Sequence, residues 1–213
     1  MWRRDKKHHY KVLFRKALNN FIREEKIIGR SMSDKKPERE SVFWLSMRRF
    51  ISHAKSIIYL CNKKQNLEAL MLLRPIIELT VNLKFILEDN TEVNLQQFLD
   101  SAKYEFDSNC IPKMGDYWSD KNLFNRMQIV GFTEDYYKTV IKKMHEEIHG
   151  SPTVIARAYY KNLTSMNSEA IFSIACQFAG HLLEVANTVY PKQRFMCPRD
   201  IWNKINFCGG STA

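Results

Sequence analysis

With 213 residues, 45% of them hydrophobic, and a formal charge of +10, the chain can bury one sizeable core; a second domain has little support, and polyanions stand first among the partners to expect. Glycine and proline are scarce, at 7 and 6, which points to an all-α bundle of about six to seven helices joined by short loops. The five cysteines, Cys61, Cys110, Cys176, Cys197 and Cys208, are odd in number and form no CxxC pair, so they read as reduced, mostly buried thiols of a cytoplasmic protein and speak against a disulfide framework or a zinc knuckle.

The first predicted helix spans residues 5–28, with Tyr10, Phe14, Ala17, Phe21 and Ile28 on one stripe and Gly29 as its stop. It is amphipathic and basic. Residues 1–40 hold 13 Lys and Arg against 6 Asp and Glu, so most of the net charge sits here. Arg3, Arg4, Lys6, Lys7, Lys11, Arg15 and Lys16 are the expected contacts to RNA or DNA phosphates. The alternative is a solvated basic helix in a lysine-rich bacterial protein. No apolar run follows the N-terminal charges, so no signal peptide is read. The polar stretch 31–40 with Pro37 reads as a linker, giving an arm over 1–40, a core over 41–190 and a tail over 191–213.

A second helix is predicted over 41–62 from the stripe Phe43, Met47, Phe50, Ala54, Ile57 and Cys61. The third, over 66–88, is the most apolar of the first half, and Pro75 should kink or break it. A fourth covers 94–106, and a short one follows over 122–130. Thr133 then has the form of an N-cap, with Glu134 and Asp135 in the first turn, opening a helix that stops at His149-Gly150-Ser151-Pro152. The last long helix, 168–189, approaches the length of a membrane span. Gln177, His181 and Glu184 interrupt it, which favours a central core helix and no membrane association. The tail should pack once through Trp202 and then fray.

Four groups of residues bear on chemistry. Arg74 and Glu78 lie one turn apart among leucines and isoleucines and must pair with each other, with other polar groups or with a ligand. They are either a register-fixing ion pair or a working pocket. His145-Glu146-Glu147-Ile148-His149 fits the HExxH zinc pattern, but the helix stops at once and position 147 is charged, so no metal is expected. Arg48 and His53 have the Arg-x4-His spacing of HEPN ribonucleases, although residues five apart on a regular helix diverge by about 140°. His181 reads as a core histidine bonded to a carbonyl or to Glu184, with the pocket of Arg74 as the other reading.

The segment from Leu67 to Leu87, preceded by an amphipathic helix and followed later by the His149-Gly-Ser-Pro turn, resembles a bacterial family of unknown function, the domain numbered 5677, over roughly residues 41–190. The resemblance implies Arg74, Glu78 and His149 as site residues, with Ser151 beside them, and makes His145 incidental. It supplies no mechanism. Its helical outline is similar to HEPN-type bundles of bacterial toxins and antiviral systems, an analogy of fold alone. The function expected is a nucleic-acid-associated helical protein, toxin-like or of phage defence, with metal-independent ribonuclease chemistry and no cofactor. Arg74 would hold the scissile phosphate while His149, oriented by Glu78, moves a proton. The alternative is a non-enzymatic module that docks on a larger nucleoprotein or enzyme partner through the arm and its aromatic face, Tyr10, Phe14 and Phe21; a protein partner or a homo-oligomer is also allowed.

Overall fold

In the computed structural model of the chain, residues 9–31, 38–88, 93–106, 121–148 and 166–208 are described, and all of them lie in helices or in the turns between helices. The all-α expectation holds.

Helix α1 (His9–Ser31) follows its apolar stripe: Leu13, Phe14, Ala17, Leu18, Phe21 and Ile28 are buried. It packs against α2 (Glu38–Asn62) and against the long helix α8 (Ser168–Val189). The Phe14 and Phe21 rings meet Phe50 of α2 with centroids 6.3 and 4.9 Å apart, and Phe14 also meets Phe172 of α8 at 6.1 Å. The basic helix is therefore part of the bundle and not an arm set apart from it. A stripe this wide loses too much by facing water. Gly29 does not stop the helix, which runs on to Ser31. Its missing side chain lets Trp44 of α2 come close, since a Cβ there would lie 3.3 Å from the indole.

A tight turn at Lys63–Gln65, with Lys64 at φ 60°, leads into α3 (Asn66–Leu87). This helix passes through Pro75 unbroken. Proline removes one hydrogen bond, and the buried neighbours Leu73, Ile76 and Ile77 hold the turn against that loss. Helices α3 and α8, the two most apolar, pack on each other at the centre of the bundle. Asn167 caps α8, its side chain accepting from the Ala170 amide at 2.9 Å.

Helix α4 (Val93–Phe106) sits against α3, where Asn94 donates to the Phe85 carbonyl at 3.2 Å. Helix α5 (Leu123–Ile129) is capped by Asn122, and α6 (Glu134–Tyr136) by Thr133, whose hydroxyl accepts from the Tyr136 amide at 3.1 Å. The chain then widens into a π-helical segment, Tyr137–Lys142, before α7 (Lys143–Ile148). Both α5 and α7 lie against α3.

The tail forms a further helix, α9 (Pro198–Cys208), laid on α8. Trp202 covers Gly180 so closely that a Cβ there would stand 2.8 Å from the ring. Helix α1 ties down the approach to α9: Arg23 donates to the Arg194 carbonyl at 2.9 Å, and Asn20 accepts from the Met196 amide at 2.9 Å. Cys61 and Cys176 are free and buried, and Cys197 is free and exposed, while Cys110 lies outside the described residues. No helix among the described residues is long and apolar enough to cross a membrane.

Candidate functional site

Arg74 and Glu78 come together as their spacing requires. Arg74 Nε donates to Glu78 Oε1 at 2.8 Å, and the side chains are 33% and 35% exposed. Arg74 also reaches off its own helix, placing a guanidinium nitrogen 2.8 Å from Nδ1 of the exposed His145 on α7. A guanidinium carries only donors, so Nδ1 accepts; the ring proton then sits on Nε2 and the imidazole is neutral. One cation thus orients a carboxylate and an imidazole together across two helices.

The site lies on a solvent-facing rim between α3 and α7, not in the interior. The reason is visible along α3, where Met71 is exposed and Arg74, Glu78 and Asn82 are half-buried, forming a strip that points away from α8. The π-helical segment Tyr137–Lys142 changes the phase of the helix leading into α7, and such segments recur at functional sites. No spacing rule in the sequence announces it.

His145, taken as incidental from the family resemblance, is the histidine in contact with Arg74. His149 and Ser151 lie outside the described residues, as do Arg3, Arg4, Lys6 and Lys7. Of the basic residues assigned to nucleic acid, Arg15 and Lys16 are exposed, while Lys11 is half-buried and donates to Asn62. The aromatic face proposed for protein docking is not available, because Phe14 and Phe21 are fully buried and Tyr10 is half-buried. Arg48 and His53 diverge as helix geometry requires. Arg48 turns to Glu25 at 3.6 Å and over the Trp44 ring at 5.0 Å, whereas His53 lies 3.5 Å from Arg49. Burial first, and the Arg49 charge second, lower the His53 pKa.

Two further fully enclosed charges pack around α3. Arg126 on α5 is 0% exposed and donates to the Lys121 carbonyl at 2.8 Å; Glu147 on α7 is 2% exposed. Position 147 being charged marked a departure from the zinc pattern, but nothing in the sequence marks Arg126. Among the described residues no group of three or more His, Cys, Asp or Glu is arranged to hold a metal ion.

A second polar cluster joins α3, α8 and α9, about 15 Å along α3 from Arg74, ten residues at 1.5 Å each. Lys84 Nζ lies 3.1 Å from Glu184 Oε2, His181 Nδ1 lies 3.0 Å from the same oxygen, and Trp202 donates to Glu184 Oε1 at 3.1 Å. His181 is thus bonded to Glu184 and does not line the Arg74 site. Its ring stands between Phe132 and Trp202, with centroids 4.8 and 4.7 Å away. Burial raises the Glu184 pKa, but the hydrogen bond and charge of His181, joined by Lys84, outweigh it and hold the carboxyl down at about 2. The cluster reads as the latch that fixes α9.

Residues 40–109 match a family of unknown function, DUF5677. The DUF5677 segment takes in α2, α3 and α4, including Arg74 and Glu78, and ends before α5. It is shorter than the resemblance over 41–190 implied, so His145, His149 and Ser151 lie beyond it. No curated protein and no solved structure matches the chain.

Proposed function

We propose that the chain is a nucleic-acid-associated protein whose Arg74, Glu78 and His145 act on a phosphodiester without a metal, in the manner of a ribonuclease. One observation carries this reading: a single guanidinium touches both a carboxylate and a neutral imidazole on a solvent-accessible rim. A phosphate entering there would draw Arg74 into a charge-assisted, bidentate contact. That would free Nδ1 of His145 and place the imidazole beside an anion.

The imidazole is then placed to take the proton of a ribose 2′-hydroxyl as its oxygen attacks phosphorus. The P–O5′ bond breaks, and the leaving oxygen receives a proton to become an alcohol. Glu78 keeps the guanidinium aimed. His149, carried from the sequence, is proposed as the second proton carrier. A cytoplasmic bacterial protein of toxin-like or phage-defence type is the setting proposed, on the outline likeness to HEPN bundles.

The test is incubation of the purified chain with RNA in the presence and absence of EDTA. Cleavage that survives the chelator and is lost in Arg74→Ala, His145→Ala and His149→Ala supports the reading. Absence of cleavage of any RNA or DNA overturns it.

A further inference from the structure

Three contacts fix how α1 and α2 lie together. Lys11 meets Asn62, Glu25 meets Arg48 at 3.6 Å, and Gly29 lies under Trp44. Each step forward along α1 is matched by an equal step back along α2. The helices are therefore antiparallel, and the same register sets Arg15 level with Ile58, one residue before Tyr59, and Lys26 level with Met47, one residue before Arg48.

The outward side of this pair is strongly positive. Residues 9–31 and 38–64 hold 12 Lys and Arg against 4 Asp and Glu. Of the four acids, Glu24 is buried beside Arg23 and the Arg194 amide, and Glu25 is already met by Arg48. Arg15, Lys16, Lys26 and Arg30 on α1 and Arg48, Arg49, Lys55 and Lys63 along α2 and its following turn are exposed. From Arg48 to Lys63 the row runs about 22 Å. In it stands Tyr59, 60% exposed, with the Lys63 ammonium 6.0 Å from its ring.

We propose that this face binds a single nucleic-acid strand, its phosphates following the two rows of Lys and Arg and a base stacking on Tyr59. The proposal rests on the nucleic-acid reading above and supplies its docking surface. Charge complementarity selects a polyphosphate, and an exposed aromatic plane among cations suits an unpaired base, whose face is open to stacking. An anionic membrane fits less well. The apolar stripes of both helices are buried in the core, and the exposed Val12, Ile27 and Leu45 stand singly among charged neighbours, leaving no continuous apolar strip to enter a bilayer.

The experiment titrates the full chain against a fluorescent single-stranded oligouridylate at several salt concentrations, reading anisotropy. Two neutralised phosphates account for roughly 1.4 in the log–log salt slope of a single strand, so the double variant Lys55→Glu with Lys63→Glu should flatten the slope by about that much and weaken low-salt binding at least tenfold. Tyr59→Ala should weaken binding roughly 5- to 150-fold and leave the slope as it is. Lys138→Ala, an exposed lysine on the π-helical segment and outside both α1 and α2, should change affinity less than about twofold. Circular dichroism melts establish that each surface variant is folded.

Binding that ignores the double reversal overturns the proposal, as does a preference for duplex RNA that ignores Tyr59→Ala. So does binding to phosphatidylserine vesicles with none to the oligonucleotide. The two readings fail separately. Strand binding without cleavage leaves this face standing and removes the ribonuclease reading, whereas Arg74-dependent cleavage unaffected by the reversal removes only this face.

Discussion

Phe21→Ala is the sharpest test of whether the basic N-terminal helix belongs to the core. Its ring is fully buried, 4.9 Å from Phe50 and 5.9 Å from Phe195 between centroids, so it joins α1 both to α2 and to the segment before α9. Truncating a buried phenylalanine costs about 3–5 kcal/mol through lost transfer energy and the cavity left behind. Against a typical total of roughly 5–15 kcal/mol, this is a large share. For a chain of this size it corresponds to a fall in Tm of roughly 6–20 °C. Thermal unfolding followed by far-ultraviolet circular dichroism reads it, with Arg15→Ala, exposed on the opposite side of the same helix, as the control expected within about 0.5 kcal/mol of the parent. If Phe21→Ala melts with Arg15→Ala, α1 is not part of the core and the packing argument fails.

Three further outcomes follow from the same contacts. Arg74→Ala should cost at most about 0.5 kcal/mol in urea unfolding, because its partner Glu78 is a one-third-exposed neighbour on the same helix; a loss several times larger would make the pair structural. Gly180→Ala should destabilise by roughly 1 kcal/mol net, since overpacking against Trp202 outweighs the gain in helix propensity; a variant more stable than the parent would contradict the 2.8 Å approach. Glu184, lowered from 4.5 to about 2 in the fold, stabilises the protein above the unfolded value, and that contribution is lost as pH falls through the folded one. With 39% of the side chain exposed, solvent screening limits it to about 1 kcal/mol. The stability difference between the parent and Glu184→Gln should therefore shrink as pH falls from 4.5 toward 2; a difference that stays constant across that window would refute the network.

Much of the fold was legible because helix periodicity and capping are local. The 168–189 helix, the Asn122 start and the Thr133 cap needed only neighbours a few residues away, and they appear where expected. What the sequence could not give was which apolar stripe meets which. The charge of α1 suggested an arm, yet its Phe14 and Phe21 face two helices, one of them about 150 residues further along the chain. The candidate site divides in the same way. Arg74 and Glu78 form an i, i+4 pair, which spacing reveals, and that pair lies within the DUF5677 match.

His145 reaches Arg74 across 71 residues of chain after a π-helical segment has changed the phase of its helix. The HExxH spacing drew attention to His145 for a reason unrelated to the contact it makes. The observed contact sets the His145 imidazole against the Arg74 guanidinium, and an anion arriving between them would pair with the cation and accept from the ring. The same three side chains that form a modest surface network therefore have a physical reason to rearrange around a phosphate, and such a response would distinguish a working site from a register-fixing pair.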